Sequence, residues 1–327
     1  MTKVPEQLDI MVNTECNAKC AFCVQEVTHK PESGKEAAFL EAVRASMDYF
    51  YGNGGRKVII TGGEPTLKPA RVEKILEILT EFPSLELITM YTNGTQLLKE
   101  IEGKTIAQRL LRTGLQCVNL SIHHYDNGKN NAIFGVKTNP EAVSAHLKEI
   151  GLPFRYCATL QKGGLEMLED VLKYVDFAKA NGAKDVYFRE LFQFKGLELK
   201  PGIEVSRSKY VPIKPIIEEL IQKGYTPIGT REKFQGRNKN EIRFEIDGMP
   251  VYFSALEIGN EKSEKLPYLV VMPDGKLRST WHETDVVPTK SPYLQQKPEK
   301  MECPMARVYN NLAEFLSANK TKRGKQK

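Results

Sequence analysis

Residues 8–23 read Leu-Asp-Ile-Met-Val-Asn-Thr-Glu-Cys-Asn-Ala-Lys-Cys-Ala-Phe-Cys. Leu8–Asn13 is a short apolar run that predicts a strand. It delivers the chain into a loop carrying Cys16, Cys20 and Cys23 at the spacing C-x3-C-x2-C. Three thiolates that close in sequence can bind three irons of a [4Fe–4S] cube and leave the fourth iron open. An open iron suits chemistry, because a ligand can occupy it. The spacing differs from the C-x2-C pairs of zinc sites and from the C-x2-C-x2-C run of ferredoxins. The competing readings are a partial zinc site and three buried cysteines with no shared role.

Working outward, the first half of the chain alternates apolar runs with helical patterns, the signal of βαβ units. Expected helices are Glu36–Phe50, Arg71–Phe82, Thr105–Arg112, Pro140–Ile150 and Leu165–Ala180. Expected strands after the first are Lys57–Thr61, Leu85–Tyr91, Val118–Ile122, Phe154–Leu160 and Asp185–Phe192. Chemically loaded residues fall at the strand C-termini, as on the top face of a barrel. The second strand of the chain runs into Gly62-Gly63-Glu64-Pro65, where small glycines let a ligand lie against the backbone. Glu64 there can accept a charge-assisted hydrogen bond from an ammonium group.

The cysteine spacing, Phe22 before the last cysteine and the Gly-Gly-Glu run after the next strand together resemble the radical S-adenosylmethionine (SAM) superfamily. The resemblance implies an α/β fold, an open partial (β/α)6 TIM-like barrel. It also implies one [4Fe–4S] cluster on Cys16, Cys20 and Cys23, with SAM chelating the open iron. One electron then splits SAM, and a 5′-deoxyadenosyl radical takes a hydrogen atom from substrate. Gly62, Gly63 and Glu64 would bind the SAM amino group. Thr92, Asn93 and Ser121 would lie near the cofactor, Arg155 or Arg189 would pair with its carboxylate, and Phe188 or Leu160 would pack on adenine.

Other residues at strand ends read as substrate-facing. His123 and His124 end the fourth strand; alternation lets only one point inward, and the pair could instead stabilise the following loop. Tyr156 and Glu190 are further candidates for the catalytic cavity. Beyond residue 192 the pattern turns β-rich, with hairpins at Glu241–Ala255 and Tyr268–Thr280. The expected organisation is a barrel core at 1–192, an extension at 193–303 covering the mouth, and a helix with a basic tail at 304–327. Arg231, Arg237 and Arg243 would make that extension a basic lid.

With 327 residues, 41% of them hydrophobic, the chain can bury a large core. No stretch approaches a membrane span, and no signal-peptide pattern opens the sequence, so a cytoplasmic, thiol-reducing setting is expected. The net charge of +6 permits an anionic substrate, while nucleic acid has no specific signal. The expected partners are a small polar, phosphorylated or nucleotide-like metabolite and an electron donor such as flavodoxin or ferredoxin. A peptide substrate, as in the maturases of ribosomally made peptides, and a non-catalytic iron–sulfur sensor are the alternatives. Cys303 is the sole cysteine after Cys157. That argues against the multi-cysteine maturase extensions and against close kinship with the molybdopterin-type GTP cyclase, leaving within the MoaA/viperin-like group an unadorned architecture that looks nearer to viperin-like and small-molecule members.

Overall fold

The computed structural model describes residues 7–23, 36–191, 201–228, 241–254 and 269–278. Arg231, Arg237, the helix expected at 304–317 and the basic tail lie outside the described residues.

The first half runs β1 (Leu8–Met11), α1 (Glu36–Gly52), β2 (Lys57–Thr61), α2 (Pro69–Leu79) and β3 (Leu87–Thr92). A small ladder of β4 (Glu100–Ile101) and β5 (Lys104–Thr105) leads into α3 (Ile106–Thr113), then β6 (Cys117–Ser121). Next come α4 (Asn127–Phe134), α5 (Pro140–Glu149), β7 (Phe154–Thr159), α6 (Leu168–Asn181) and β8 (Val186–Arg189). Helices α7 (Pro201–Ser208) and α8 (Ile213–Gln222) precede β9 (Glu241–Ile246), β10 (Met249–Ser254), β11 (Leu269–Val271) and β12 (Leu277–Arg278). The boundaries follow local chemistry. Thr105 and Gln108 form a capping box on α3, and Gly114 ends it at φ 111. Asp126 caps α4 by accepting from the Lys129 amide at 2.8 Å. The run Asn-Gly-Lys-Asn-Asn gives α4 no apolar stripe, which is why periodicity misses it.

Ten of these strands form one sheet in the order β12-β11-β1-β2-β3-β6-β7-β8-β10-β9. The eight from β11 to β10 are parallel throughout. The C-terminal hairpins, expected over the mouth, therefore extend the sheet at its two edges. β10 lies beside β8 with Val251 opposite Val186, and β11 lies beside β1 with Leu269 opposite Leu8. Their antiparallel partners β9 and β12 finish each edge.

The sheet curls. β3 and β8 are three ladder steps apart, about 14 Å in a flat sheet whose side chains stand upright. Yet the Arg189 guanidinium carbon lies 4.9 Å from the Tyr91 ring centre, and its Nη2 donates to the Tyr91 hydroxyl. The strands thus curve about a lumen.

Period-two alternation sorts every strand. One face carries Leu8, Ile10, Val58, Ile60, Met90, Val118, Leu120, Tyr156, Phe188, Val251 and Phe253, all in one core with the helices. The other face carries Asp9, Tyr91, Asn119, Arg155, Tyr187, Arg189, Tyr252 and Ser254, and lines the lumen.

This sorting corrects three expectations about the catalytic cavity and cofactor. Tyr156 faces the helices; its ring packs against Tyr174 and Phe177 and its hydroxyl shares a 2.7 Å hydrogen bond with Ser144 on α5. Phe188 is fully buried between Tyr174 and Phe253, so it packs core, not adenine. Glu190, one residue past β8, also points outward, and its Oε1 accepts from the amide of Ile213, the first residue of α8, at 2.7 Å. A carboxylate there satisfies an otherwise orphan donor and meets the positive end of the helix. Glu190→Ala should lower stability by about 1–3 kcal/mol, the cost of an unsatisfied buried donor. Urea unfolding checks this, and an unchanged midpoint would remove the capping role.

Candidate functional site

The cysteine segment is the loop after β1, and the loops at the C-terminal ends of β2, β3 and β6 converge on it. Past β1 the chain stays paired with the loop after β2. Val12 donates to Thr61 O at 2.7 Å, Gly63 to Asn13 O at 2.9 Å and Glu64 to Glu15 O at 2.7 Å, and Asn13 Nδ2 returns a bond to Glu64 O at 3.1 Å. The approach is so close that a Cβ on Gly63 would sit 2.3 Å from Glu15 O, and one on Gly62 2.6 Å from Asn13 Oδ1. The glycines make room for the cysteine loop itself, which sequence reasoning assigned to a ligand.

Glu64 is fully buried and its carboxylate is the hub. Oε1 accepts from the Thr66 amide at 3.0 Å, the Thr66 hydroxyl and the Thr92 hydroxyl at 2.7 Å, and Oε2 from the Asn93 amide at 2.7 Å. A carboxylate offers about four acceptor sites, so these four donors fill most of its capacity. Burial pushes the Glu64 carboxyl above its ordinary range, against the pull of these bonds. Asn93 then reaches the cysteine loop, donating to Asn17 Oδ1 at 2.9 Å, while Asn17 donates to Thr95 Oγ1 at 2.8 Å. Asn13, Asn17, Thr66 and Thr95 were missed from sequence, because lone polar loop residues carry no pattern.

The far side of the cysteine loop rests on α4 and β6. Lys19 donates to Phe134 O at 2.7 Å. Phe22 meets His123 edge-on at 5.1 Å, and His123 packs on Phe134 at 4.8 Å. His123 Nδ1 accepts from the Thr159 amide at 3.2 Å, which makes it neutral, and burial lowers its pKa to about 4. The neighbouring His124 accepts from the Asp126 amide at 2.8 Å and packs at a tilt against Tyr125 at 4.3 Å, so it stabilises the turn into α4. His123 is therefore the histidine beside the cysteine loop.

The thiols fit a shared cationic ligand. Burial, with Glu64 and Cys23 adding to it, pushes Cys16 up to about 11, and burial, with Cys23 and Cys16 adding to it, pushes Cys20 up to about 12. As thiolates the sulfurs would repel one another in a poorly solvated site, a cost that bound metal relieves. Among the described residues no three His, Cys, Asp or Glu side chains converge on a single metal ion. A cube asks for something else, since each thiolate takes a separate iron.

The remaining expected site residues divide. Ser121 ends β6 on the lumen face beside Cys157. Arg155 is committed at the opposite end of the strands, where its Nε lies 2.7 Å from Asp185 Oδ1 and its Nη2 donates to Oδ2 at 2.9 Å, so it is removed from the cofactor loops. Arg189 is held in the lumen between the Tyr91 and Tyr187 rings, each 4.9 Å from its guanidinium carbon.

A family model described as the radical SAM superfamily matches residues 10–178. A probable GTP 3′,8-cyclase of Thermoplasma volcanium is 33% identical over 138 residues, covering 42% of this chain and 39% of that protein. A probable GTP 3′,8-cyclase of Pyrobaculum aerophilum is 28% identical over 245 residues, 71% of each chain. The chain thus spans between 39% and 71% of the length of these two relatives. The structure of Streptococcus suis SuiB bound to S-adenosylmethionine shares the fold at TM-score 0.55 and 17% identity, covering 85% of this chain and 61% of SuiB.

Two outcomes are expected. Gly63→Ala should cut iron per chain after reconstitution several-fold, because its Cβ and Glu15 O cannot both stay in place; full iron loading would show that the loop can yield. For His123, the unfolded chain binds more protons between its ordinary pKa of 6.5 and about 4, so stability drops as pH falls through that window. His123→Phe should flatten that acid slope in urea midpoints measured from pH 7 to 4.

Proposed function

Since the chain belongs to the radical SAM superfamily, we propose that it cleaves SAM reductively and abstracts a hydrogen atom from a small polar metabolite bound in the barrel lumen. The superfamily uses a [4Fe–4S] cluster and S-adenosylmethionine. When bound, these supply the reducing electron and the hydrogen-abstracting 5′-deoxyadenosyl group. The observation that carries the proposal is the double anchoring of the cysteine loop, by backbone to the Gly-Gly-Glu turn and through Asn17 to the turn after β3.

Cys16, Cys20 and Cys23 hold one cluster. Phe22 fixes the last of them against His123. Gly62, Gly63 and Glu64 keep the loop at a set height over the lumen, and Thr92 and Asn93 keep the Glu64 carboxylate in place. Ser121 lies on the cofactor side of the lumen. Helices packed on the outer sheet face exclude water from the sides of the lumen, which protects a reactive radical. A flavodoxin or ferredoxin in a reducing cytoplasm would deliver the electron. The polar lumen and the nucleotide substrate in the relatives' name favour a phosphorylated or nucleotide-like metabolite.

The test is anaerobic. Reconstituted protein with dithionite and SAM should release 5′-deoxyadenosine and methionine and carry about four irons per chain. Replacing Cys16, Cys20 and Cys23 together by Ala should abolish both iron and product. Product from that triple variant, or about eight irons in the parent, would overturn the one-cluster reading. Glu64→Gln bears on the hub. An amide nitrogen would face donors there, so iron loading and SAM affinity should fall together. Calorimetry showing lost SAM affinity with full iron would instead make Glu64 a direct ligand of the SAM ammonium.

A further inference from the structure

We propose that Arg189 and Ser254 form an oxyanion subsite in the lumen that takes the phosphate or carboxylate group of the substrate, an inference that rests on the lumen-binding function proposed above. The two residues are register partners at the C-terminal ends of β8 and β10, so their side chains stand side by side on the inner face. Ser254 is 1% exposed, and among the described residues its Oγ has no hydrogen-bond partner. The Arg189 Nε is buried and likewise unpartnered. Buried polar atoms are nearly always paired, so two adjacent orphan donors mark a place for an acceptor.

The surroundings select an anion. Arg155 is neutralised by Asp185, and Arg278 by Asp274 at 2.9 Å. Among the described residues no carboxylate lies within ion-pair distance of Arg189, whose one hydrogen bond goes to the Tyr91 hydroxyl. The Tyr91 and Tyr187 rings hold the guanidinium from both sides, which preorganises its planar fork. An oxyanion accepting from Arg189 Nε and Ser254 Oγ would satisfy both orphans with charge-assisted bonds. The strands of origin differ from the cofactor's: the cysteine loop is held by the loops after β2, β3 and β6, whereas Arg189 and Ser254 end β8 and β10, the guanidinium reaching to Tyr91 of β3.

The probes are inorganic phosphate and acetate, titrated calorimetrically into anaerobic holoenzyme at fixed ionic strength. Wild type should bind one of them at one site per chain. Phosphate binding indicates a phosphorylated substrate, acetate binding a carboxylate. Arg189→Lys and Ser254→Ala should each weaken that binding tenfold or more. Ser254→Ala removes a hydroxyl that bonds to nothing among the described residues, so its thermal midpoint should match wild type and exclude misfolding. Absence of binding to wild type, or retention within twofold in either variant, overturns the inference. So does a loss of SAM affinity in Arg189→Lys with oxyanion affinity intact, which would make Arg189 a cofactor residue. SAM cleavage by wild type is scored separately: its absence would overturn the proposed function whatever the oxyanion result.

Discussion

The fit of the cysteine loop onto the Gly-Gly-Glu turn governs everything above the barrel. Backbone amides of Gly63 and Glu64 donate to Asn13 and Glu15, and no side chain fits between the two strands of that contact. A loop of sparse apolar content has no packing of its own to hold three sulfurs. It gains position from a neighbour whose conformation is fixed by a buried carboxylate. Removing the charge of Glu64 from water is unfavourable, and four donors from Thr66, Thr92 and Asn93 offset that cost. The turn after β3 is thereby tied to the turn after β2, and both to the cysteines.

The two faces of the sheet divide the labour. Outward residues meet the helices and supply the hydrophobic stability; inward residues are polar and aromatic and supply chemistry. A one-residue shift in register would exchange the two sets. That is why neighbours in sequence, Phe188 and Arg189 or Arg155 and Tyr156, have unrelated surroundings. It also explains how the C-terminal hairpins join the same system. β10 brings Tyr252 to stack on Tyr187 inside and Phe253 to stack on Phe188 outside.

Much of this was legible in sequence. The βα alternation, the cysteine spacing and the glycine pair each follow from local rules, and the strands they mark lie within one to three residues of the expected ends. The partners of the site were not. Tyr156 and Glu190 stand at strand ends like true site residues, and their outward direction emerges once the register is known. Hairpins over a mouth and hairpins on an edge have the same local sequence. Which one forms depends on pairing between residues far apart, such as Leu8 with Leu269. Orphaned atoms such as Ser254 Oγ belong to no motif, because they are defined by what the surrounding fold fails to provide.

Arg189 shows what the outer layer makes affordable. A guanidinium in the lumen forfeits hydration, and no carboxylate among the described residues pairs with it directly. Asp9 lies near enough to favour its charged form, and two tyrosine faces add cation–π attraction. Burial opposes them and the charged form still prevails; what stays missing, among the described residues, is an acceptor for Nε. A well-packed outer core can carry such a deficit, as active sites elsewhere carry strain held by their surroundings. The deficit is also what gives the residue its use. A cation already satisfied by the protein gains little from a ligand, as Arg155 in its ion pair would. A cation held in place yet short of an acceptor gains most when substrate arrives, and this asymmetry between two arginines on neighbouring strands follows from where Asp185 happens to stand.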